Sequence, residues 1–368
     1  MQKISNDLST ENKRSPGLFG IERSNRDFSK SENWGKNIFN NTFPVSLACY
    51  MASKKLDPIY LKFSDKENII HSKVAVIDVF GMEVPNDKLY FSFEGQYSPY
   101  ETISVGSPPR VDLVTYDVTP GQNAPLRPIE IKLTALPDYQ TNEKQNEAEY
   151  GSELVIRPDT IVYTAMSIAS KFSKNKLELR ELLNEGNLNQ KNLRDASTLL
   201  AEKERMVSNL IRVVAAAIDE EKPLLLEPVW KTKGRTLILA DRCFDIFVWS
   251  DLSFSKLLLD RASGANGKKI RRPLRAASWL YHMLSQYAET GTMDSSSIID
   301  ELTYGTKNDK AFSVGGNLTN PYMKSPELTS PRIHKESIKD IILGKGQNLL
   351  RPERRLDAAI LTTPGLFE

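Results

Sequence analysis

The sequence is poor in the residues that most directly announce a chemistry. Two cysteines, Cys49 and Cys243, stand far apart without metal-type spacing. That excludes a disulfide framework and a cysteine-based zinc site, and it predicts a reduced, cytoplasmic chain. The three histidines, His71, His282 and His334, form no His-Glu-x-x-His motif and no paired spacing. Zinc hydrolase chemistry and nucleases built around a histidine base are therefore set aside. No apolar run reaches the roughly 18 residues of a membrane span, and the N-terminus lacks a signal-peptide core, so no membrane partner is expected. There is no Gly-x-Ser-x-Gly elbow, no Gly-x-Gly-x-x-Gly after a strand and no phosphate-loop spacing. An excess of charge of either sign is missing too. Lys and Arg number 49 against 47 Asp and Glu, so any nucleic-acid footprint must be local. What remains is an ordinary globular composition, with 40% apolar and 26% charged residues over 368 positions. Such a chain can bury a large core, as one elaborated domain or two.

The stretch that carries chemistry is Arg110–Asp138. Two β-rich runs flank a turn segment with Pro120, Gly121, Asn123 and Pro125, which predicts two strands and a loop. Residues two apart on a strand share a face. Glu130 and Lys132 therefore point one way, while Ile129, Ile131 and Leu133 point the other way into a core. Asp112, between Val111 and Leu113, sits on the polar side of its own strand. Two carboxylates and an ammonium can converge there, as a Mg²⁺-dependent phosphodiesterase requires. Mg²⁺ takes oxygen ligands and keeps waters, so one or two carboxylates and a substrate phosphate suffice. A lysine beside them can hold the attacking water and offset charge.

The chain has only three acidic-x-Lys triplets, beginning at Glu11, Glu130 and Glu220. The first lies in a polar tail and the third ends a helical stretch; only the middle one lies in a strand pattern. The Pro158-Asp159 pair is a decoy, because the next acidic-x-Lys comes only at Glu220. A surface strand with a Glu/Lys pair beside a solvated Asp is the competing reading, since short motifs are weak.

Residues 1–15 are polar and read as a disordered tail. A short helical pattern surrounds Phe43–Ser53. From Ile59 to Phe93 the signals are β-like, in the runs IYLKF, KVAVIDVFG and KLYFSFEG. Glu94 ends the last run and is a candidate third carboxylate; a strand-end glutamate paired with a lysine is the alternative. Helical patterns follow from Asp159, over Leu177–Leu183 and over Asn192–Ile218. Arg235–Asp251 reads as a single central strand with polar ends, including Asp241, Asp245 and Asp251. Lys268, Lys269, Arg271, Arg272 and Arg275 then place five cations in eight positions where a loop meets a helix. They are the best local candidates for DNA phosphate contact, against the alternative of an exposed charged loop. The last 75 or so residues are polar with little periodicity. The run from Gly305 to Arg332 is too long for an idle connection, and reads either as a loop reaching into a DNA groove or as a disordered connection.

Several unusual blocks occur in one order: GLFGIERSNRDFS, WGKNIFNNTFP, FSFEGQ, VDLVTYD with IEIKLTALPD, and EYGSELVIRPDTI. With a looser match through RTLILADRCFDIFVWSD, the chain resembles the HindVP-type type II restriction endonucleases over most of residues 17–260. The resemblance implies an α/β fold with a restriction-endonuclease-like core, its mixed central sheet flanked by helices and augmented by helical and loop segments. The chain itself reads as a single elaborated nuclease domain over residues 16–368, with a catalytic core near 59–255 and a basic loop, helix and polar loops in 256–368 for DNA recognition. The resemblance further implies Mg²⁺-dependent cutting of both strands of DNA, a target of 5′-GRCGYC-3′, a homodimer and a protective DNA methyltransferase in the same cell. Catalytic roles fall to Asp112, Glu130 and Lys132, with the Ile131 carbonyl as a further metal ligand and Glu94 in support. Arg110-Val111 precedes the first acid where the motif's name calls for proline. Two other classes stay open: a repair or recombination nuclease of the same superfamily, and a non-catalytic DNA-binding protein on a nuclease-like fold.

Overall fold

Helices cover both faces of one mixed sheet, and the strand alternation of the sequence explains how. The computed structural model describes residues 23–24, 47–84, 86, 88–131, 153–185, 195–227, 230–233, 236–239, 247–264, 270–296, 311–315, 322 and 332–333. In chain order these give β1 (Arg23–Ser24), helix α1 (47–54), β2 (Ile59–Phe63) and β3 (Ile69–Lys73). Helix α2 (Val76–Phe80), β4 (Leu89–Gly95), a 3-10 turn (Ser98–Ile103) and β5 (Ser104–Val105) follow. Then come β6 (Val111–Asp117), β7 (Ala124–Ile131), β8 (Glu153–Ile156) and three helices, α3 (Pro158–Lys171), α4 (Lys176–Asn184) and α5 (Ala196–Ala216). Strands β9 (Pro223–Glu227), β10 (Trp230–Lys233), β11 (Thr236–Leu239) and β12 (Phe247–Ser250) precede α6 (Asp251–Ser263) and α7 (Arg272–Thr290). Strands β13 (Met293–Asp294) and β14 (Phe312–Gly315) come last.

The main sheet has eight strands in the order β1-β4-β6-β7-β9-β12-β2-β3. It is mixed: β6 runs antiparallel to β4 and β7, whereas β7 and β9 are parallel, as are β12 and β2. Period-two alternation divides its side chains between two cores. Ile59, Leu61, Phe63 and Trp249 pack with α3 to α7 in the larger core. Tyr60, Leu113, Ile129, Ile131 and Val248 pack with α1 and α2 in the smaller one. Helix α3 is buried from Thr160 to Ala169, enclosed by other elements, and its buried hydroxyls Thr160, Thr164 and Ser167 are hydrogen-bonded. Pro158 opens it at a position where a missing N–H costs nothing.

Three sequence expectations change. The run Val76–Phe80, expected as β, is the helix α2. Its buried residues Val76, Val79 and Phe80 follow helical spacing, a pattern hidden by their β-branched and aromatic character. Gly81 then stops the helix with φ +82° and its N–H on the Ile77 carbonyl at 2.7 Å. An added Cβ there would meet Leu126 Cβ at 2.9 Å. Second, Arg235–Asp251 is not one central strand. Thr236–Leu239 pairs with β10 in a separate two-stranded sheet, and among the described residues of the run Phe247–Ser250 enters the main sheet, between β9 and β2. Strand β9, in the run from Pro223 to Glu227 that the sequence reading passed over, supplies the central neighbour of β7 instead. Third, the polar stretch 305–332 contains β14, antiparallel to β8. It also contains Tyr322, whose ring packs near Trp249 and whose hydroxyl donates to Asp260. Two other expectations hold: helices form where the 3.6-residue periodicity indicated, and the segment after Asp117 turns at Pro120-Gly121, with Gln122 N–H on the Thr119 carbonyl at 2.7 Å.

Candidate active site

Strands β4, β6 and β7 are neighbours in the sheet, and each carries one of the three acids singled out in the sequence. On β6, Val111 and Leu113 are buried and Asp112 between them is half-buried. On β7, Ile129 and Ile131 are buried and Glu130 is half-buried. The last register pair of β6 with β7 is Leu113 with Ile129. Asp112 and Glu130 are the next residues on each strand, where the ladder stops. At that point β7 continues along β9, with Glu130 beside Leu225 and Ile131 beside Leu226. The Asp112 carboxylate takes over the vacated hydrogen bond. Its Oδ2 accepts the Ile131 N–H at 2.8 Å, a bond strengthened by the charge of the acceptor.

Glu94 joins this row from the other side. The β4–β6 register runs through Phe93 with Leu113 and Gly95 with Val111, which sets Glu94 across from Asp112. Its φ is +42°. A left-handed backbone is uncommon for any residue with a Cβ and costs about 1–3 kcal/mol, a strain that concentrates at functional positions.

Helix α3 closes over Glu130. Thr160 in its first turn is 1% exposed and donates its hydroxyl to Glu130 Oε1 at 3.2 Å. One turn further, Tyr163 donates to the Pro128 carbonyl at 3.1 Å. Burial first, then neighbouring Tyr100 and Asp251, raises the Tyr163 phenol well above its ordinary pKa, so it is a donor throughout the working range. The sequence reading did not single out Thr160. Its one signal is a hydroxyl residue directly after the Pro-Asp that opens a helix.

The side-chain donors on this row are hard oxygens, the carboxylates of Glu94, Asp112 and Glu130. Among the described residues no three His, Cys, Asp or Glu side chains cluster as a self-sufficient metal cage. Asp112 and Glu130 alone suit an ion that completes its shell with water and phosphate oxygens, which is the habit of Mg²⁺ rather than of zinc. Lys132, Lys268 and Lys269 lie outside the described residues, as do Asp241 and Asp245.

Arg271 and Arg272 are exposed at the start of α7, and Arg275 one turn on is partly buried. Burial pulls the Arg275 guanidinium below its ordinary pKa. The other end of α7 leads through Gly291 into β13, which pairs with β5 just beyond the 3-10 turn after Glu94. The 19-residue helix therefore separates the arginines from that connection by roughly 28 Å at 1.5 Å per residue.

Asp251, expected at the polar end of a strand, is a buried residue that opens α6. Its carboxylate faces Lys171 Nζ at 2.6 Å, and both side chains are 1% exposed. It also accepts from Ser167 Oγ at 2.5 Å, Leu252 N–H at 2.9 Å and Lys222 N–H at 3.2 Å.

Comparison with known proteins agrees with the sequence resemblance. A family model described as HindVP restriction endonuclease matches residues 34–367. The chain is 43% identical over 357 residues to the type II restriction enzyme HgiDI of Herpetosiphon aurantiacus, covering 96% of this chain and 97% of that one. It is 41% identical over 353 residues to the probable type II restriction enzyme HindVP of Haemophilus influenzae, covering 96% and 95%. No solved structure matches the chain. Matched along nearly its whole length, the chain belongs to the HindVP restriction endonuclease family and is a type II site-specific deoxyribonuclease.

Proposed function

We propose that the enzyme cuts both strands of a short palindromic DNA site by Mg²⁺-dependent hydrolysis, through a PD-(D/E)xK centre on a restriction-endonuclease-like core. The observation that carries this reading is the row of Glu94, Asp112 and Glu130 on three adjacent strands, at the point where β6 and β7 part. Asp112, Glu130 and the Ile131 carbonyl are the proposed holders of the ion. When bound, Mg²⁺ lowers the pKa of coordinated water and offsets charge on the scissile phosphate. The chain's own residues do the rest. Asp112 locks the end of β7 by accepting the Ile131 amide. Lys132 is assigned to hold the attacking water and to balance the charge that builds on the phosphate. Glu94 orients the shell around Asp112.

The target 5′-GRCGYC-3′ is proposed from the family resemblance. A target of that symmetry matches a homodimer with one centre per strand. Arg271, Arg272 and Arg275, with Lys268 and Lys269, are assigned to phosphate contacts away from the cut. The reading takes residues 16–368 as one elaborated domain after a tail at 1–15, working in the cytoplasm beside a DNA methyltransferase that protects the host's own sites. No helix among the described residues is long and apolar enough to cross a membrane.

The test is digestion of a fully sequenced plasmid by purified protein with Mg²⁺, beside an EDTA control and Lys132→Ala. The expected result is discrete fragments from the wild type with Mg²⁺ alone, their ends mapping to one short sequence. Cutting that persists in EDTA, or that Lys132→Ala leaves intact, would overturn the assignment.

A further inference from the structure

We infer that Thr160 is a positioning residue for Glu130: its hydroxyl selects the carboxylate conformation that receives the metal ion. The inference rests on the proposed role of Glu130 as a metal ligand.

A glutamate side chain turns about three bonds, so a ligand at its end is ordered only if something holds it. Thr160 is built to do so. It is 1% exposed, and its hydroxyl meets Glu130 Oε1 at 3.2 Å. The helix carrying it is fixed along the turns that follow the contact. Tyr163 grips the Pro128 carbonyl, two residues before Glu130, at 3.1 Å. Further along α3, Ser167 and Lys171 engage the buried Asp251 at 2.5 and 2.6 Å. Helix α3 thus holds β7 by a backbone carbonyl and by a carboxylate, and its far end is tied to the start of α6. A partner that fixes a ligating carboxylate belongs to the same design as the ligand itself, and its loss typically weakens metal affinity by about 10–100-fold. A buried threonine that merely found an acceptor would leave metal affinity unmoved when replaced by an isostere.

The test uses the full-length chain and the variants Thr160→Val, Thr160→Ser, Thr160→Ala and Glu130→Gln. Binding of Mn²⁺ alone is followed by water-proton relaxation, without DNA. The Mg²⁺ dependence of plasmid cutting is measured beside it, and the urea midpoint reports folding. Thr160→Val is expected to weaken Mn²⁺ binding by about tenfold or more and to raise the half-saturating Mg²⁺ in parallel. At saturating Mg²⁺ much of the cutting rate should return. Thr160→Ser, which keeps the hydroxyl, is expected within about twofold to threefold of wild type. If Thr160→Val does not fold, Thr160→Ala carries the same expectation. Unchanged Mn²⁺ binding in the folded variant would overturn the inference. So would a Thr160→Ser loss as large as that of Thr160→Val, because a variant that keeps the hydroxyl would then fail as badly as one that lacks it. Glu130→Gln separates the two levels. If it also leaves Mn²⁺ binding unchanged, the metal role of Glu130 falls; if it abolishes binding while the Thr160 variants do not, only the positioning role falls.

Discussion

Asp112 and Asp251 are both aspartates on or beside strands of one sheet, but their surroundings differ. Asp251 is 1% exposed, and its two oxygens meet an ammonium, a hydroxyl and two backbone amides. Asp112 is half-buried, stands where two strands separate, and accepts the amide of Ile131 across the gap. The first carboxylate is saturated by the protein that surrounds it. Its role is to tie α3, the start of β9 and the start of α6 together. The second stays within reach of water at the edge of a divided ladder, where a cation and a phosphate can complete its shell. An acid beside a lysine is thus no sign of catalysis by itself; what matters is whether folding has already used the charge.

The largest effect should come from the solvent-reached row. Glu130→Ala is expected to lower plasmid cutting by at least about a hundredfold while shifting stability by only about 1 kcal/mol. A cutting rate near wild type would erase the distinction drawn between the two acids. Next in size is Asp251→Asn, which leaves Lys171 as a buried ammonium without a counter-charge. Urea unfolding should show a loss of about 3–5 kcal/mol, and adding Lys171→Met should return a large part of it. If the double variant is no more stable than the single one, the pair is not coupled as described.

Replacing Arg272 and Arg275 together by alanine should weaken DNA binding and reduce the slope of log affinity against log salt by up to about 1.8. Equal slopes for the two proteins would remove both arginines from the DNA interface. The smallest expected effect lies at Glu221, beside the buried pair. Its carboxylate accepts Phe63 N–H at 2.6 Å and Ser250 Oγ–H at 2.9 Å. Burial nevertheless raises its pKa, and Asp251 adds to the rise. A carboxyl whose folded pKa is raised holds its proton longer folded than unfolded. Wild-type stability relative to Glu221→Gln should therefore be highest below the ordinary carboxylate range and decline as pH rises through the raised value. A difference between the two proteins that does not vary from mildly acidic to neutral pH would contradict this.

Much of this was legible in the sequence because strand periodicity is a local property. The alternation of Val111-Asp112-Leu113 and Ile129-Glu130-Ile131 set each acid between buried apolar neighbours, and the structure agrees. The polar face expected of these strands is absent, because Val114 and Pro128 on the acids' own side are buried too, and the acids stay half-buried only at the strand ends. Gly95 and Val111 are sixteen positions apart, and no local pattern states that they pair and so carry Glu94 to Asp112. Thr160 was invisible for the same reason: its partner is thirty residues away, and its own neighbourhood reads only as the start of a helix. Val76–Phe80 misled because β-branched residues dominate a segment too short for its helical spacing to stand out. The run Arg235–Asp251 misled because continuous apolar character does not reveal where one strand ends and another begins. Strand β9, with its Pro-Leu-Leu-Leu core, was passed over beside the louder pattern that follows it.

The most direct test of the central claim separates binding from cutting at Asp112. Wild type and Asp112→Asn would be compared on one DNA fragment known to be cut, with binding measured by gel shift and cleavage measured after adding Mg²⁺. The account predicts that Asp112→Asn binds the fragment specifically, with affinity near wild type, and leaves it uncut. Cleavage by Asp112→Asn at the wild-type rate would contradict it and place the reactive centre elsewhere in the molecule.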